Sequence, residues 1–349
     1  MVSPVKVLSI ITALAASVLA APSAEPFKYP SDGFHRGKSF ALKPGDIDVA
    51  LDAEARDLAS RGLAKRSVGV QSSCPGGPLY AGYFRTWRDV AGKPGNPPVK
   101  MSDMPVGTNI ALVFGNPDDA GFWPVLRDSY VPALHAKGMK VIRSIFIDDI
   151  LALTPPADGN YVPLAQALYQ DKVAQWGLDG LDIDMEKSLT TAQVTLAAGV
   201  IQALSKIIGR SGTQPGSLLI YDTNQYVHTL AQKIAPYVDY VLLQAYGTTT
   251  SVLQSAWNGY APYYSSCQFL VGVSFWEEFA SYDWGDTHSP FITSNAANFA
   301  RWNPTGGKKG GMFTYAIDRD WKAVGDNTLT VPTYEYSNQL IPLNKASST

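Results

Sequence analysis

The feature that most constrains this chain is an alternating stretch of acidic and apolar residues, GLDIDME, at positions 180–186. Such alternation is typical of a β-strand whose two faces meet different surroundings. Asp182, Asp184 and Glu186 are expected to project from one face, successive members roughly 6–7 Å apart. The three apolar side chains between them are expected to pack against a covering layer on the other face.

A row of carboxyl groups on one strand face favours acid–base chemistry. Neighbouring carboxylates repel one another, so at least one is expected to hold a proton beside ionised partners, as cleavage of a glycosidic bond requires. A calcium loop also spaces acids at every second residue, but it needs Gly at its sixth position and Glu at its twelfth, where this chain has Lys187 and Gln193. A solvated acidic edge strand would not carry apolar residues between its acids.

The stretch Asp179-Gly180-x-Asp182-x-Asp184-x-Glu186 resembles the D-G-x-D-x-D-x-E signature of glycoside hydrolase family 18. That family contains chitinases and endo-β-N-acetylglucosaminidases that act on N-glycans. The resemblance implies a retaining, substrate-assisted mechanism through an oxazolinium ion, with Glu186 as the general acid. It also implies that Asp184 orients the 2-acetamido group of the substrate and that Asp182 shares a proton with Asp184.

The rest of the chain predicts a single (β/α)₈ barrel. Several β-rich runs are nearly continuous in apolar residues, as is typical of parallel strands covered on both faces. The eight runs are Leu79–Thr86, Asn109–Phe114, Lys140–Phe146, Gly180–Glu186, Leu218–Asp222, Tyr240–Tyr246, Phe269–Phe275 and Gly311–Ile317. Helix-like spacers include Trp123–Lys137, Val162–Trp176, Thr191–Ile208 and Thr229–Ala235. Strands alternating with helices favour a closed barrel, whose active site lies at the carboxyl ends of the strands. Glu186 is therefore expected at the rim, with Asp182 deeper.

The predicted sixth strand places Gln244 and Tyr246 on one face. This resembles the family motif in which a tyrosine hydrogen-bonds the acetamido group of the substrate, although packing inside the barrel is an alternative interpretation. Many chitinases follow that tyrosine with Asp or Asn, whereas this chain has Gly247. Chitinases of the family also usually have tryptophan at the floor position where Tyr315 stands.

Two further departures favour an endo-β-N-acetylglucosaminidase over a small chitinase. The third strand lacks the S-x-G-G of chitinases, and the segment Trp276–Gly310 is short for the α+β insertion domain of processive chitinases. A carbohydrate-binding protein on an inactive barrel is a third hypothesis, which an intact Glu186 disfavours.

Other candidate substrate-binding residues are Asp179, Asn224 and Trp276. The run Tyr221–Asn224 could hydrogen-bond sugar hydroxyls or form an Asx-type turn that needs no ligand. Trp276 could stack on a sugar or simply pack, and the same holds for three other tryptophans near predicted loops: Trp87, Trp123 and Trp284.

The amino-terminal part of the chain predicts secretion and processing. Met1–Ala21 resembles a secretory signal peptide, with a lysine at position 6, an apolar run and small residues at its end. Residues 22–66 are polar and are predicted to form a pro-segment that ends in Lys65-Arg66, which resembles a dibasic cleavage site; a helix ending in two solvated cations is the alternative interpretation. Cleavage there would leave residues 67–349, that is 349 − 66 = 283 residues, enough for one barrel.

The remaining composition limits partners and cofactors. A net charge of −2 argues against nucleic acid or an anionic membrane as the main partner. The four histidines show no ligand spacing, so no metal or other cofactor is expected. Cys74 and Cys267 could form one disulfide or remain two buried thiols. The expected protein is a monomer acting on N-glycosylated glycoproteins or on oligosaccharides of N-acetylglucosamine.

Overall fold

A computed structural model describes residues 69–115, 119–280 and 283–347. The predicted signal peptide, pro-segment and processing site before Ser67 lie outside the described residues. Eight parallel strands form one closed barrel in chain order, β1 pairing with both β2 and β8. The strands are β1 (Leu79–Arg85), β2 (Ile110–Phe114), β3 (Lys140–Phe146), β4 (Gly180–Met185), β5 (Leu218–Thr223), β6 (Tyr240–Gln244), β7 (Phe269–Ser274) and β8 (Gly311–Tyr315).

Every predicted strand is confirmed, with ends no more than two residues from the predicted ones. The periodic signal was strong because all eight strands are buried almost throughout. The (β/α)₈ prediction is therefore confirmed.

The helices vary more in length than the strands, from four to 14 residues. They are α1 (Phe122–Val125), α2 (Val131–Ala136), α3 (Ile147–Leu151), α4 (Val162–Lys172), α5 (Thr191–Leu204), α6 (Thr229–Ile234), α7 (Thr250–Tyr260), α8 (Asn295–Arg301) and α9 (Glu335–Ala346). A π-helical segment, Leu126–Tyr130, joins α1 to α2 inside the helix predicted over 123–137. Helices α3, α7, α8 and α9 were not among the predicted spacers.

The core has two layers separated by the strands. Within β4, Leu181, Ile183 and Met185 pack outward in the large cluster between the barrel and its helices. A smaller cluster fills the barrel interior with residues such as Tyr83, Phe114 and Phe313. Strand alternation divides the side chains between the two layers, because successive side chains point to opposite faces.

Covalent and polar contacts close the amino-terminal end of the barrel. Cys74 and Cys267 form a disulfide, which confirms the first of the two alternatives and ties the segment before β1 to the segment before β7. Asn344 on α9 donates a hydrogen bond from Nδ2 to the carbonyl oxygen of Leu79, 2.9 Å away at the start of β1. These contacts stabilise the end of the barrel opposite the carboxyl ends of the strands.

The chain between β7 and β8 contains a 3₁₀ turn at Phe291–Thr293 and helix α8. Its described residues include no strand, so the expectation of a barrel without the α+β insertion domain is confirmed. Within the described ranges, no helix is long and apolar enough to cross a membrane.

Candidate active site

The acidic row of β4 enters the barrel as its alternation predicts. Asp182 and Asp184 are fully buried, and Glu186 is half-buried immediately after the last residue of the strand. In the register of the sheet, Asp182 lies beside Ser144 of β3 and Asp184 lies beside Asp222 of β5. The three carboxyl groups thus rise from the barrel interior to its carboxyl rim.

Asp182 is held by two hydroxyl groups from neighbouring strands. Its Oδ2 accepts hydrogen bonds from the Tyr83 hydroxyl at 2.9 Å and from Ser144 Oγ at 2.7 Å. Burial raises the pKa of Asp182 to about 6, although both hydroxyl donors act in the opposite direction. Asp182 can therefore hold a proton at mildly acidic pH. Sequence reasoning missed Tyr83, whose only signal was an inward position on β1.

Gln244 gathers the carboxylates of two strands. Its Nε2 lies 3.1 Å from Asp184 Oδ1, 2.9 Å from Glu186 Oε1 and 2.7 Å from Asp222 Oδ2. An amide nitrogen carries only two hydrogens for these three oxygens. The three carboxyl groups therefore share two hydrogen-bond donors.

The run 221–224 contacts the acid and also forms a local turn, and hydrogen bonding of Asn224 to sugar hydroxyls remains a prediction. Asn224 Nδ2 donates to Glu186 Oε2 at 3.4 Å, so this side chain contacts the acid itself. Thr223 Oγ1 meanwhile donates to the carbonyl oxygen of Met185 at 2.7 Å and accepts from the Gln225 amide at 3.2 Å, as a local turn would. Glu186 is thus contacted by two amide side chains, those of Asn224 and Gln244.

Aromatic rings cluster at the carboxyl ends of β6 and β8. Tyr246 and Tyr315 stack with ring centroids 6.2 Å apart and planes inclined by 27°. The Tyr315 hydroxyl lies 3.5 Å from Glu277 Oε1, beyond the end of β7. Trp284 packs edge-on against Tyr246 with centroids 5.9 Å apart. Trp284 lines an open cleft, whereas Tyr246 and Tyr315 are only 7% and 2% exposed.

The glycine after Tyr246 has a structural reason. Gly247 has φ of 68°, in the left-handed region, and a Cβ there would lie 3.0 Å from the carbonyl oxygen of Trp284. A side chain at this position, such as the Asp or Asn of many chitinases, would require Trp284 to shift. The close approach of Trp284 thus accounts for one departure from the chitinase pattern.

A buried ion network supports the wall behind Tyr315. Arg85, at the carboxyl end of β1, contacts Asp318 Oδ2 at 2.6 Å, Glu278 Oε2 at 2.8 Å and Glu277 Oε1 at 3.3 Å. The Arg85 guanidinium also lies 6.0 Å from the centroid of Tyr315. Sequence reasoning did not single out Arg85, because its partners come from distant segments.

Two residues predicted to bind substrate, Asp179 and Trp276, lie at opposite ends of the barrel. The prediction for Asp179 is wrong: it lies before β4, at the amino-terminal end of the barrel, where Oδ2 accepts a hydrogen bond from the Val141 amide at 2.7 Å and contacts His135 Nε2 at 2.7 Å. Trp276 stays near the rim, two residues past β7, and lines an open cleft of about 220 Å³ with Glu277.

The motif around β4 therefore divides into two halves. Asp179 anchors the chain before the strand, and a Cβ on Gly180 would lie 1.9 Å from the Leu218 carbonyl oxygen, so only glycine allows the approach of β5. Asp182, Asp184 and Glu186 form the half that faces the site.

Comparison with known proteins places these features in a family. Residues 82–314 match the model of the endo-beta-N-acetylglucosaminidase EndoS TIM-barrel domain. Endo-beta-N-acetylglucosaminidase F2 of Elizabethkingia meningoseptica is 40% identical over 276 residues, covering 76% of this chain and 81% of the relative. Endo-beta-N-acetylglucosaminidase EndoS of Streptococcus pyogenes serotype M1 is 30% identical over 332 residues, covering 78% of this chain and 33% of the relative.

A solved structure extends the comparison to the fold. The apo crystal structure of an endo-beta-N-acetylglucosaminidase from Cordyceps militaris has a TM-score of 0.73 and 42% identity, covering 84% of this chain and 95% of that one. A mutant of the Cordyceps militaris enzyme, with a TM-score of 0.73 and 44% identity, was solved in complex with fucosyl-N-acetylglucosamine-Asn and covers 77% of this chain and 91% of that one.

Proposed function

The chain belongs to the endo-β-N-acetylglucosaminidases of glycoside hydrolase family 18, and we propose that it cleaves between the two core N-acetylglucosamine residues of N-glycans on glycoproteins, by a retaining, substrate-assisted mechanism. The observation that carries the proposal is the convergence of Glu186, Asp184 and Asp222 on Gln244, beside the paired rings of Tyr246 and Tyr315.

The positions of the inner carboxyl groups support the substrate as the nucleophile. Asp222 is 1% exposed and contacts the Gln244 amide, and Asp184, which also contacts Gln244, is the proposed acceptor for the acetamido N–H, so neither is proposed to attack the anomeric carbon. A retaining hydrolase that uses a carboxylate nucleophile needs that group in direct contact with the sugar. The 2-acetamido group of the substrate can supply the attacking oxygen instead.

In the proposed mechanism, Glu186 donates a proton to the glycosidic oxygen while the acetamido carbonyl oxygen attacks the anomeric carbon. The bond to the leaving sugar breaks and an oxazolinium ion forms with one inversion. Asp184 accepts a hydrogen bond from the acetamido N–H and stabilises the positive charge, and Tyr246 holds the carbonyl oxygen. Asp182 shares a proton with Asp184 and thereby tunes its charge.

The second half of the reaction uses the same residues in reverse. Glu186, now ionised, removes a proton from water, which attacks the anomeric carbon and opens the oxazolinium ring. The second inversion restores the original configuration at that carbon. Tyr315 is the proposed floor under the reacting sugar.

The ligand of the Cordyceps militaris enzyme supports this choice of bond. Fucosyl-N-acetylglucosamine-Asn is the fragment that would remain on asparagine after cleavage between the core sugars of a fucosylated N-glycan. We therefore propose glycoproteins with and without core fucose as the substrate class.

We further propose that the protein is secreted as a monomer and processed after Lys65-Arg66. The leader-like residues 1–21 and the dibasic site motivate this proposal. The disulfide between Cys74 and Cys267 supports it, because such bonds persist in oxidising compartments.

The test is mass spectrometry of a high-mannose glycoprotein after incubation with the full chain purified from the medium of a secreting host. Loss of the glycan with one N-acetylglucosamine left on the protein would support the proposal. Cleavage of a chitin oligosaccharide alone would instead support a small chitinase, and binding without cleavage would support an inactive carbohydrate-binding barrel. The mass of the purified chain reports whether it begins at Ser67.

Glu186→Gln is expected to reduce turnover by ~10²–10⁴-fold, because the amide cannot donate the catalytic proton. Glu335→Gln is the matched control, since Glu335 is exposed at the start of α9 and its variant should keep wild-type turnover. Wild-type turnover by Glu186→Gln would refute the assignment of the acid. An unchanged rate in Asp184→Asn would refute the substrate-assisted step.

A further inference from the structure

A buried carboxyl group outside the proposed mechanism links two strand ends of the site. Asp286, in the segment between β7 and α8, is 1% exposed. Its Oδ1 accepts a hydrogen bond from the Gly247 amide at 3.1 Å, and its Oδ2 accepts one from the Ser274 amide at 2.9 Å. Ser274 is the last residue of β7, and Gly247 directly follows Tyr246 beyond the end of β6. One carboxyl group thus holds the ends of two neighbouring strands together.

The same segment also contacts Tyr246 through its ring. Trp284, two residues before Asp286, packs edge-on against Tyr246, and its backbone and indole lie against Gly247. The backbone of Asp286 is fixed in turn, because its carbonyl oxygen accepts a hydrogen bond from the Ala296 amide of α8 at 2.9 Å. Tyr246 is therefore held by its backbone neighbour and by its ring, both from one segment.

We propose that Asp286 is a positioning residue that sets the place of Tyr246, and through it the acetamido oxygen of the substrate, by clamping Gly247 and the segment that carries Trp284. This inference rests on the proposed function, which assigns Tyr246 to that oxygen. Substrate assistance depends on near-attack geometry, and a displacement of about 1 Å can reduce the rate ~10²-fold.

The chain repeats this kind of clamp far from the site. Asp239 lies just before β6, at the amino-terminal end of the barrel, and is also buried. Its Oδ1 accepts from the Arg210 amide at 2.9 Å and its Oδ2 from the Leu219 amide at 2.8 Å. Asp239 therefore offers a matched control with the same chemistry and no contact with the site.

The clamp on Gly247 depends on pH. Burial, together with the smaller effect of the nearby Asp283 charge, raises the pKa of Asp286 to about 7, against the opposing hydrogen bonds from the Ser274 and Gly247 amides and the side chain of Asn295. Asp283 in turn lies 3.6 Å from His288, and Glu277 lines the same cleft as Asp286.

Ionised Asp286 forms charge-assisted hydrogen bonds, which are stronger than those of the neutral acid. The positioning effect should therefore be largest above pH 7 and should weaken as the carboxyl group takes up a proton. Global stability changes in the opposite direction. Because the folded pKa is raised, the contribution of Asp286 to stability is present below its unfolded pKa and is lost as the pH rises through about 7.

The experiment measures kcat and KM of the full chain on a glycopeptide between pH 5.5 and 8.5, for the wild type and for Asp286→Asn. The amide keeps one acceptor and loses the other. We expect kcat to fall roughly tenfold at pH 8 with KM little changed, the size of one lost charged hydrogen bond. The ratio of wild-type to variant kcat should shrink below pH 7, and this ratio cancels titrations that both proteins share.

Asp239→Asn should lower the melting temperature while its kcat ratio to wild type stays near one at every pH. Trp284→Phe keeps the Asp286 carboxyl group and provides a second test if Asp286→Asn does not fold. It should lower kcat with a ratio to wild type that does not change through pH 7.

A double-mutant cycle separates this inference from the proposed function. If Asp286 acts through Tyr246, the effect of Asp286→Asn on kcat should vanish in the Tyr246→Phe background. A full effect of Asp286→Asn on kcat in that background would overturn the positioning role. So would wild-type kcat in Asp286→Asn at pH 8, or a loss of kcat no larger than that in Asp239→Asn. If Tyr246→Phe alone kept wild-type kcat, the failure would belong to the proposed role of Tyr246 and the inference would fall with it.

Discussion

The hydrogen bond between Tyr83 and Asp182 allows a quantitative test of the buried acid. Tyr83→Phe removes one of two hydroxyl donors to Oδ2 and leaves Ser144 in place. A hydrogen bond to an ionised group is worth ~1.5–3 kcal/mol, whereas a neutral one is worth ~0.5–1.5 kcal/mol. The loss of unfolding free energy should therefore depend on the charge of Asp182.

The sign follows from the raised pKa of Asp182. Burial raises that pKa to about 6, against an unfolded value of ~3.9. Asp182 therefore contributes stability below its unfolded pKa, and roughly 3 kcal/mol is lost as the pH rises through the folded pKa. Removing the Tyr83 hydroxyl raises the folded pKa further, so the stability of the variant should fall more steeply with pH.

Urea unfolding at pH 5 and pH 8 measures the effect. Tyr83→Phe should lose about 1–2 kcal/mol more unfolding free energy at pH 8 than at pH 5, the difference between a charged and a neutral hydrogen bond. Tyr264→Phe is the matched control. Its buried hydroxyl donates to the neutral carbonyl oxygen of Ala231 at 2.7 Å, so its loss should be equal at both pH values. Equal losses for Tyr83→Phe at the two pH values would refute the reasoning.

Two further predictions concern the walls of the site. Gly247→Ala should lower the free energy of unfolding by about 1–2 kcal/mol through its left-handed backbone, and should also lower kcat because the new Cβ meets Trp284. Gly177→Ala is the control, because Gly177 has φ of 65° and no atom within 4 Å of the added Cβ. It should lose as much unfolding free energy as Gly247→Ala but keep wild-type kcat. Equal kcat in the two variants would count against the Trp284 contact. Arg85→Met should cost about 3–5 kcal/mol by removing the guanidinium that pairs with buried Asp318, whereas Glu278 keeps its ion pairs with Arg88 and Arg319. Thermal unfolding checks this loss of stability. The control, Arg127→Met at an exposed ion pair, should not change the melting temperature measurably. An unchanged melting temperature in Arg85→Met would contradict the structural role of the network.

Much of the fold could be predicted because it depends on local periodicity. Each strand carries a buried run that identifies it without knowledge of its neighbours, and the eight runs in order admit few topologies other than a barrel. Among the helices that were not predicted, α3 has five residues and α8 has seven, too few for a helical period to repeat clearly, whereas α7 is as long as the predicted α4. The interruption between α1 and α2 likewise has no signal in the spacing of apolar residues.

The candidate site was predictable only where it lies on a strand. The alternation of Asp182, Asp184 and Glu186 is a local property, so their common face followed from the strand period alone. Asp179 shows the limit of that reasoning, because a residue can belong to a motif and still lie at the opposite end of the barrel.

The sequence by itself determined the barrel, the row of acids and the likeness to one family of hydrolases, because each depends on residues adjacent along the chain. The tertiary structure decided which distant groups surround that row. Tyr83 reaches Asp182, Gln244 joins the carboxylates of β4 and β5, and Asp286 clamps Gly247 only after the barrel has closed. These contacts depend on the register between strands and on loop conformation, which no period along a single strand encodes.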